Sequence, residues 1–211
     1  MKILSHRGYW KTPPEKNTSA AFVRSFELGF GTETDFRDLA GRLVVSHDPP
    51  SQDALAAEDM LEIYRRYDPS LPLALNIKAD GLQHLVVDIV SRFKLRDAFV
   101  FDMSIPDTIQ WLKTDVPVFT RHSDVEEPPA LYAEAAGVWL DAFHSDWWDA
   151  ADIRRHLDAG KRICIVSPEL HRREHRRIWE SLYGSDVWSG GDVMLCTDYP
   201  EEAVEVFGHG H

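Results

Sequence analysis

Two histidines and two acids near the start of the chain have the types and spacing of an acid–base site. His6 and His47 each close a short apolar run, and Glu33 and Asp35 stand two apart in Thr32-Glu33-Thr34-Asp35. Residues two apart on an extended strand share a face, so both carboxylates would point the same way. A histidine changes charge near neutral pH, which suits it to give or take a proton at a reacting oxygen. Two histidines with two convergent carboxylates are the parts of metal-assisted acid–base chemistry. Arg7, beside the first histidine, adds a fixed positive charge that matches an oxyanion.

These groups act only if the chain brings them together, and the 211 residues read as a repeating strand–helix pattern. Residues 2–5 form a short apolar run, and Asn17-Thr18 offers a helix cap before Phe22, Val23, Phe26 and Leu28. Residues 31–36 read as a strand carrying Glu33 and Asp35. Residues 43–46 read as its hairpin partner, ending at His47 and broken by Pro49-Pro50. Leu82, Leu85, Val86, Ile89, Val90 and Phe93 fit the helical period without a miss. A short helix over 129–135 and a longer one over 171–182 complete the pattern. Leaving out the hairpin run, it predicts eight strands and eight helices in strict alternation.

Repeated βα units impose parallel strands and right-handed crossovers, and eight of them close into a (β/α)₈ TIM barrel. The expected architecture is α/β, a single barrel domain over residues 1–211. An open doubly wound sheet is disfavoured because no glycine-rich phosphate loop follows the first strand. In such barrels functional groups sit at the carboxyl ends of strands. That rule adds Asn76 and Lys78, two apart at the end of the third strand. Glu33, Asp35 and Asn76 would then offer three hard oxygens, a set suited to Mg²⁺ or Ca²⁺ rather than zinc. Arg7 and Lys78 would neutralise an anion that the metal also touches.

Composition narrows the partners. A net charge of −12 and the absence of a basic run argue against nucleic acid. No apolar segment reaches the length of a membrane span. Cys164 and Cys196 sit in apolar runs and read as reduced buried thiols, consistent with a cytoplasmic protein. His171-Arg172-Arg173-Glu174-His175 matches the H-x-x-E-H pattern of inverted zinc peptidases, with both histidines on one helical face. Its flanking arginines and lack of a third ligand favour a solvated basic helix face instead.

The chain resembles the glycerophosphodiester phosphodiesterases, within the wider phosphatidylinositol-phospholipase-C-like group. The resemblance is carried by His6-Arg7-Gly8, Glu15 to Thr18, Gly31-Thr32-Glu33-Thr34-Asp35, Val44-Val45-Ser46-His47-Asp48, Leu75-Asn76-Ile77-Lys78 and Cys196-Thr197-Asp198-Tyr199-Pro200. It implies a divalent-cation-dependent hydrolase of small-molecule phosphodiesters. His6 and His47 would be the acid–base pair, Glu33 and Asp35 metal ligands, and Arg7 and Lys78 phosphate-binding residues. Three departures accompany it. Asn76 stands where the family has Glu. The family's Pro-Glu-Asn-Thr loop carries one extra residue here, so Glu15 is not taken as a ligand. Only 28 residues separate His47 from Asn76, too few for the family's substrate-covering insertion. A phosphate-ester binding module on the same barrel is the alternative that Asn76 motivates.

Overall fold

The computed structural model describes residues 1–208, which form two compact units, Ser5–Val118 and Met1–Leu4 with the described residues from Phe119 onward. The boundary falls inside the first strand, β1 (Lys2–His6).

In the 5–118 unit, α1 (Ser19–Glu27) follows a loop and is capped by Thr18, whose hydroxyl accepts from the Ala21 amide. It buries Ala21, Phe22 and Phe26. Next come β2 (Gly31–Leu39), β3 (Arg42–Val45), β4 (Leu55–Ala56) and α2 (Ala57–Tyr64). They are followed by β5 (Leu73–Ile77), α3 (Gln83–Phe93), β6 (Ala98–Phe101) and α4 (Ile105–Trp111). Strand β2 has two partners in succession. Its first half pairs parallel with β5, Thr32 opposite Leu73 through Phe36 opposite Ile77. Its second half runs on into an antiparallel ladder with β3, Phe36 opposite Val45 through Leu39 opposite Arg42. The expected hairpin is therefore present, and it gains a third strand, β4, that short apolar length had hidden.

Parallel pairing continues from β5 to β6, with Asn76 opposite Phe101. This register sets Asp35, Asn76 and Phe101 side by side at the carboxyl ends of three neighbouring strands. One core holds the unit, built from Phe22, Phe26, Phe36, Met60, Leu61, Leu73, Leu75, Val86, Ile89 and Trp111 among others. Fully burying a Phe or Leu side chain stabilises by roughly 1.5–3 kcal/mol, so this packing fixes the strand ends that carry the polar residues. Gly31 lets the strand entrance close, because a Cβ there would lie 2.4 Å from the Pro72 carbonyl oxygen.

The other unit places β7 (Phe119–His122), β8 (Gly137–Leu140), β9 (Arg162–Val166) and β10 (Val193–Thr197) in a parallel run. Helices α5 (Ala150–Asp158), α6 (Arg176–Tyr183) and α7 (Pro200–Phe207) follow β8, β9 and β10. Strict alternation fails once. The described residues hold seven α-helices, and turns replace the expected 129–135 helix between β7 and β8. Pro128-Pro129 removes two amide donors, and Leu131 sits at φ +53°, outside the helical region. The carbonyls of Ala133 and Ala135 are taken by the Lys161 ammonium at 3.0 and 2.7 Å. The expected 171–182 helix also shortens. A 3₁₀ turn ends at His171, Arg172 adopts φ +60°, and α6 begins only at Arg176.

Candidate functional site

The candidate site lies where β1, β2 and β5 end, within the 5–118 unit. Arg7 follows β1 at φ +61°, and its amide donates both to the Glu33 carbonyl at 3.0 Å and to Glu33 Oε2 at 3.2 Å. Gly8, at φ +77°, lets the chain turn against α1 and donates its amide to Thr32 Oγ1. That turn sends the Arg7 side chain back over the sheet end, where Nε meets Asp35 Oδ2 at 3.0 Å. Lys78 arrives from β5, its own amide bonded to the Phe36 carbonyl, and Nζ lies 3.6 Å from Asp35 Oδ1. One fully buried carboxylate thus holds two cations.

His6 Nε2 lies 4.0 Å from Glu33 Oε2, a carboxylate only 2% exposed. The Glu33 carboxyl is pushed up to about 8, first by burial and then by the Asp35 charge, against the pull of Arg7, Lys78 and a hydrogen bond from Asn76. His47 stands apart from this buried cluster. It is half-exposed, its Nδ1 sits 2.9 Å from Asp48 Oδ1, and its carbonyl accepts from Arg37 Nε at 3.1 Å. The Ser46 amide ties this end of the hairpin to the Asp35 carbonyl at 3.0 Å. His47 and Arg7 line a common cavity of about 640 Å³, together with Lys16, Asn17 and Asp53.

A divalent cation can be tested against these donors. Among the described residues no three His, Cys, Asp or Glu side chains close on a point fit for a metal. A third oxygen from this cluster would therefore come from the Asn76 amide. Asn76 is 7% exposed, and its Oδ1 is buried without a hydrogen-bond partner. A buried acceptor in that condition is costly unless something positive reaches it. Two carboxylates and an orphaned amide oxygen are hard donors, so the set fits Mg²⁺ or Ca²⁺ with fewer charges than three acids would supply.

Two residues to which sequence reasoning gave no role in the site take one here. Asn17, read as part of a helix cap and of the Glu15–Thr18 stretch, braces the site: its Nδ2 donates to Asp35 Oδ2 at 2.8 Å, and its Oδ1 accepts from Thr34 Oγ1 at 3.0 Å. Asp102, just past β6, reaches the Lys78 ammonium at 3.3 Å. Spacing places Asp102 at a strand end without naming its partner, and it gives Asn17 no place at all, because Asn17 comes from a loop. Glu15 accepts from the Lys11 amide and from Arg24.

No protein-family model and no curated protein matches the sequence. Solved structures do match. A glycerophosphodiester phosphodiesterase from Agrobacterium tumefaciens aligns at 18% identity over 98% of both chains, with a TM-score of 0.68. One from Thermotoga maritima aligns at 17% identity over 96% of both chains, with a TM-score of 0.66. An Oleispira antarctica phosphodiesterase, solved with the product sn-glycerol-3-phosphate, aligns at 15% identity over 98% of this chain and 96% of its own, with a TM-score of 0.71. The chain shares their fold. That likeness puts it in the α/β class with the (β/α)₈ fold that its repeats lead one to expect.

The peptidase pattern at 171–175 dissolves in the structure. His171 bonds Asp141 at 2.6 Å, whereas His175 reaches Glu202 at 3.4 Å from the start of α6. Glu174 is spent on the amides of Arg176 and Arg177. The two histidines serve different carboxylates and share no helical face. No helix among the described residues is long and apolar enough to cross a membrane.

Proposed function

We propose that this chain is a divalent-cation-dependent hydrolase of small-molecule phosphodiesters, with glycerophosphodiesters as the default substrate class. One observation carries the reading: Arg7 and Lys78 converge on the buried Asp35 carboxylate, beside an Asn76 oxygen that has no partner. The solved structures that share the fold support it, one of them holding sn-glycerol-3-phosphate.

Arg7 and Lys78 bind the phosphate oxygens, matching the negative charge of a diester. Glu33, Asp35 and Asn76 would hold Mg²⁺ or Ca²⁺, which would supply Lewis-acid stabilisation of the charge on the phosphate. His6 and His47 divide the proton transfers, one taking a proton from the attacking hydroxyl and the other giving one to the leaving alkoxide. Glu33 holds His6 through the 4.0 Å contact, and Asp48 orients the His47 ring. The cavity shared by His47 and Arg7 receives an alcohol group of the diester.

The test is a panel of glycerophosphodiesters and sugar or polyol phosphodiesters, assayed with Mg²⁺, Ca²⁺ and Mn²⁺. His6→Ala and His47→Ala should each lower kcat by about 10²–10⁴-fold on an accepted diester. Near wild-type turnover in either variant removes that histidine from the reaction. The neutral Asn76 favours a second reading, in which the pocket binds phosphate esters without turnover. Binding of sn-glycerol-3-phosphate with no hydrolysis of any panel member would select it.

A further inference from the structure

We propose that Asp102 limits the positive charge of the Arg7–Lys78 pair, so that the site selects a singly charged phosphodiester over a doubly charged phosphate monoester. The inference rests on the phosphate-binding reading of Arg7 and Lys78 above and adds the residue that sets their charge preference.

The fold puts Asp102 where it can do this. The β5–β6 register sets Asn76 opposite Phe101, so Asp102 follows at the carboxyl end of β6, beside the strand that delivers Lys78. Its Oδ2 accepts a hydrogen bond from Lys78 Nζ at 3.3 Å. The same ammonium lies 3.6 Å from Asp35 Oδ1. Asp102 keeps this place at φ +74°, a conformation that costs most residues and that Asp and Asn tolerate best. Backbone held in such a region is concentrated at functional sites.

Charge gives the contact its consequence. Arg7 and Lys78 bring two positive charges, and the Asp35 carboxylate meets both, at 3.0 and 3.6 Å. With Asp35 alone the pair would keep one charge in excess, and Asp102 cancels it at Lys78. The Arg7, Lys78 and Asp102 side chains are 21, 18 and 20% exposed and Asp35 is fully buried, so water screens these charges weakly. The guanidinium and ammonium still donate to phosphate oxygens, but they no longer reward additional negative charge on the ligand.

A diester carries one negative charge, whereas a phosphate monoester carries nearly two at slightly alkaline pH. Repulsion from Asp102 grows with the charge of the ligand, so it opposes the monoester about twice as strongly as the diester. Substrate is thereby favoured over the monoester that hydrolysis leaves behind. Glu33 and any bound cation add the same charge whether or not Asp102 is present, so the contribution of Asp102 stands apart from theirs.

The experiment is calorimetric titration of the full-length chain, at pH 8 with Mg²⁺ present, using methyl phosphate and methyl sulfate. These are tetrahedral oxyanions of one shape that carry about two charges and one. Asp102→Asn removes the charge while keeping a hydrogen-bond acceptor and suiting the backbone. Asp102→Gly also suits that backbone and replaces it if thermal melts show that the Asn variant does not fold. Either variant should raise the ratio of methyl phosphate to methyl sulfate affinity by at least about fivefold. An unchanged or lowered ratio overturns the inference, and equal weakening of both probes would confine Asp102 to positioning Lys78. Lys78→Met tests the reading beneath and should weaken both probes, methyl phosphate the more. If the wild-type chain binds neither probe, or Lys78→Met changes neither affinity, the phosphate-binding reading falls and takes the inference with it.

Discussion

Asn17 shows how much of the site depends on a residue that touches no reacting group. Its backbone amide bonds the Arg7 carbonyl at 2.8 Å, and its side chain braces Asp35 and Thr34 while its own φ stands at +59°. Removing the side chain leaves a fully buried carboxylate short of a donor, at about 1–3 kcal/mol. The backbone adds a separate cost, since Ala in that conformation loses roughly 1–2 kcal/mol and Gly does not. Urea unfolding should therefore rank wild type above Asn17→Gly, and Asn17→Gly above Asn17→Ala by about 1 kcal/mol. Equal stability of the two variants would mean the left-handed backbone carries no strain. His6, Arg7, Glu33, Asp35, Asn76 and Lys78 were legible in sequence because each ends or immediately follows a strand whose alternation fixes its face. The part of Asn17 was not, because a residue in the loop before α1 leaves no periodic trace.

At the scale of elements, β2 is the part on which the site depends, since it carries both candidate carboxylates and pairs with β5 at the register that aligns Asp35 with Asn76. The approach of β2 to the start of β5 leaves no room at Gly31, where an added Cβ would lie 2.4 Å from backbone. Backbone cannot yield as a flexible side chain does, so Gly31→Ala must displace the strand entrance. Overpacking of this kind costs roughly 1–3 kcal/mol. Glu33 and Asp35 follow two and four residues on, so on the divalent-cation proposal metal affinity should fall along with the thermal midpoint. A variant that loses stability but binds metal like wild type would show that β2 absorbs the shift before Glu33. The elements best read in sequence were those with a long apolar period, such as α3. The region between β7 and β8 misled, because its apolar residues suit a helix while its prolines and the bonds from Lys161 hold it as turns.

At the scale of the whole molecule, two groups in different units set opposite pH responses. In the 5–118 unit Glu33 is raised to about 8 by burial and by Asp35. Between its ordinary value near 4.5 and 8 the folded chain holds a proton that the unfolded chain has lost, so stability falls as pH rises through that window. In the other unit, burial lowers His122, and burial with the neighbouring His122 charge lowers His156 to about 4. The two rings and Tyr132 form a buried hydrogen-bonded chain, with contacts of 3.0 and 2.8 Å. Here the unfolded His156 takes up a proton below about 6.5 while the folded ring stays neutral to about 4, and His122 is shifted in the same direction, so both act to lower stability as pH falls below 6.5. Below 6.5 the His156 proton offsets the Glu33 proton, with His122 adding to the histidine side, and above 6.5 only the Glu33 limb remains. Metal-free protein should therefore lose stability from pH 6.5 toward pH 8 and change less between 5 and 6.5. Urea titrations from pH 5 to 8.5 read this directly. Glu33→Gln should flatten the alkaline limb and leave the histidine contribution in place, and His156→Gln should reduce that contribution alone. An alkaline limb that survives Glu33→Gln would assign the loss to another group, and Glu33 would then be ionised in the folded chain at neutral pH.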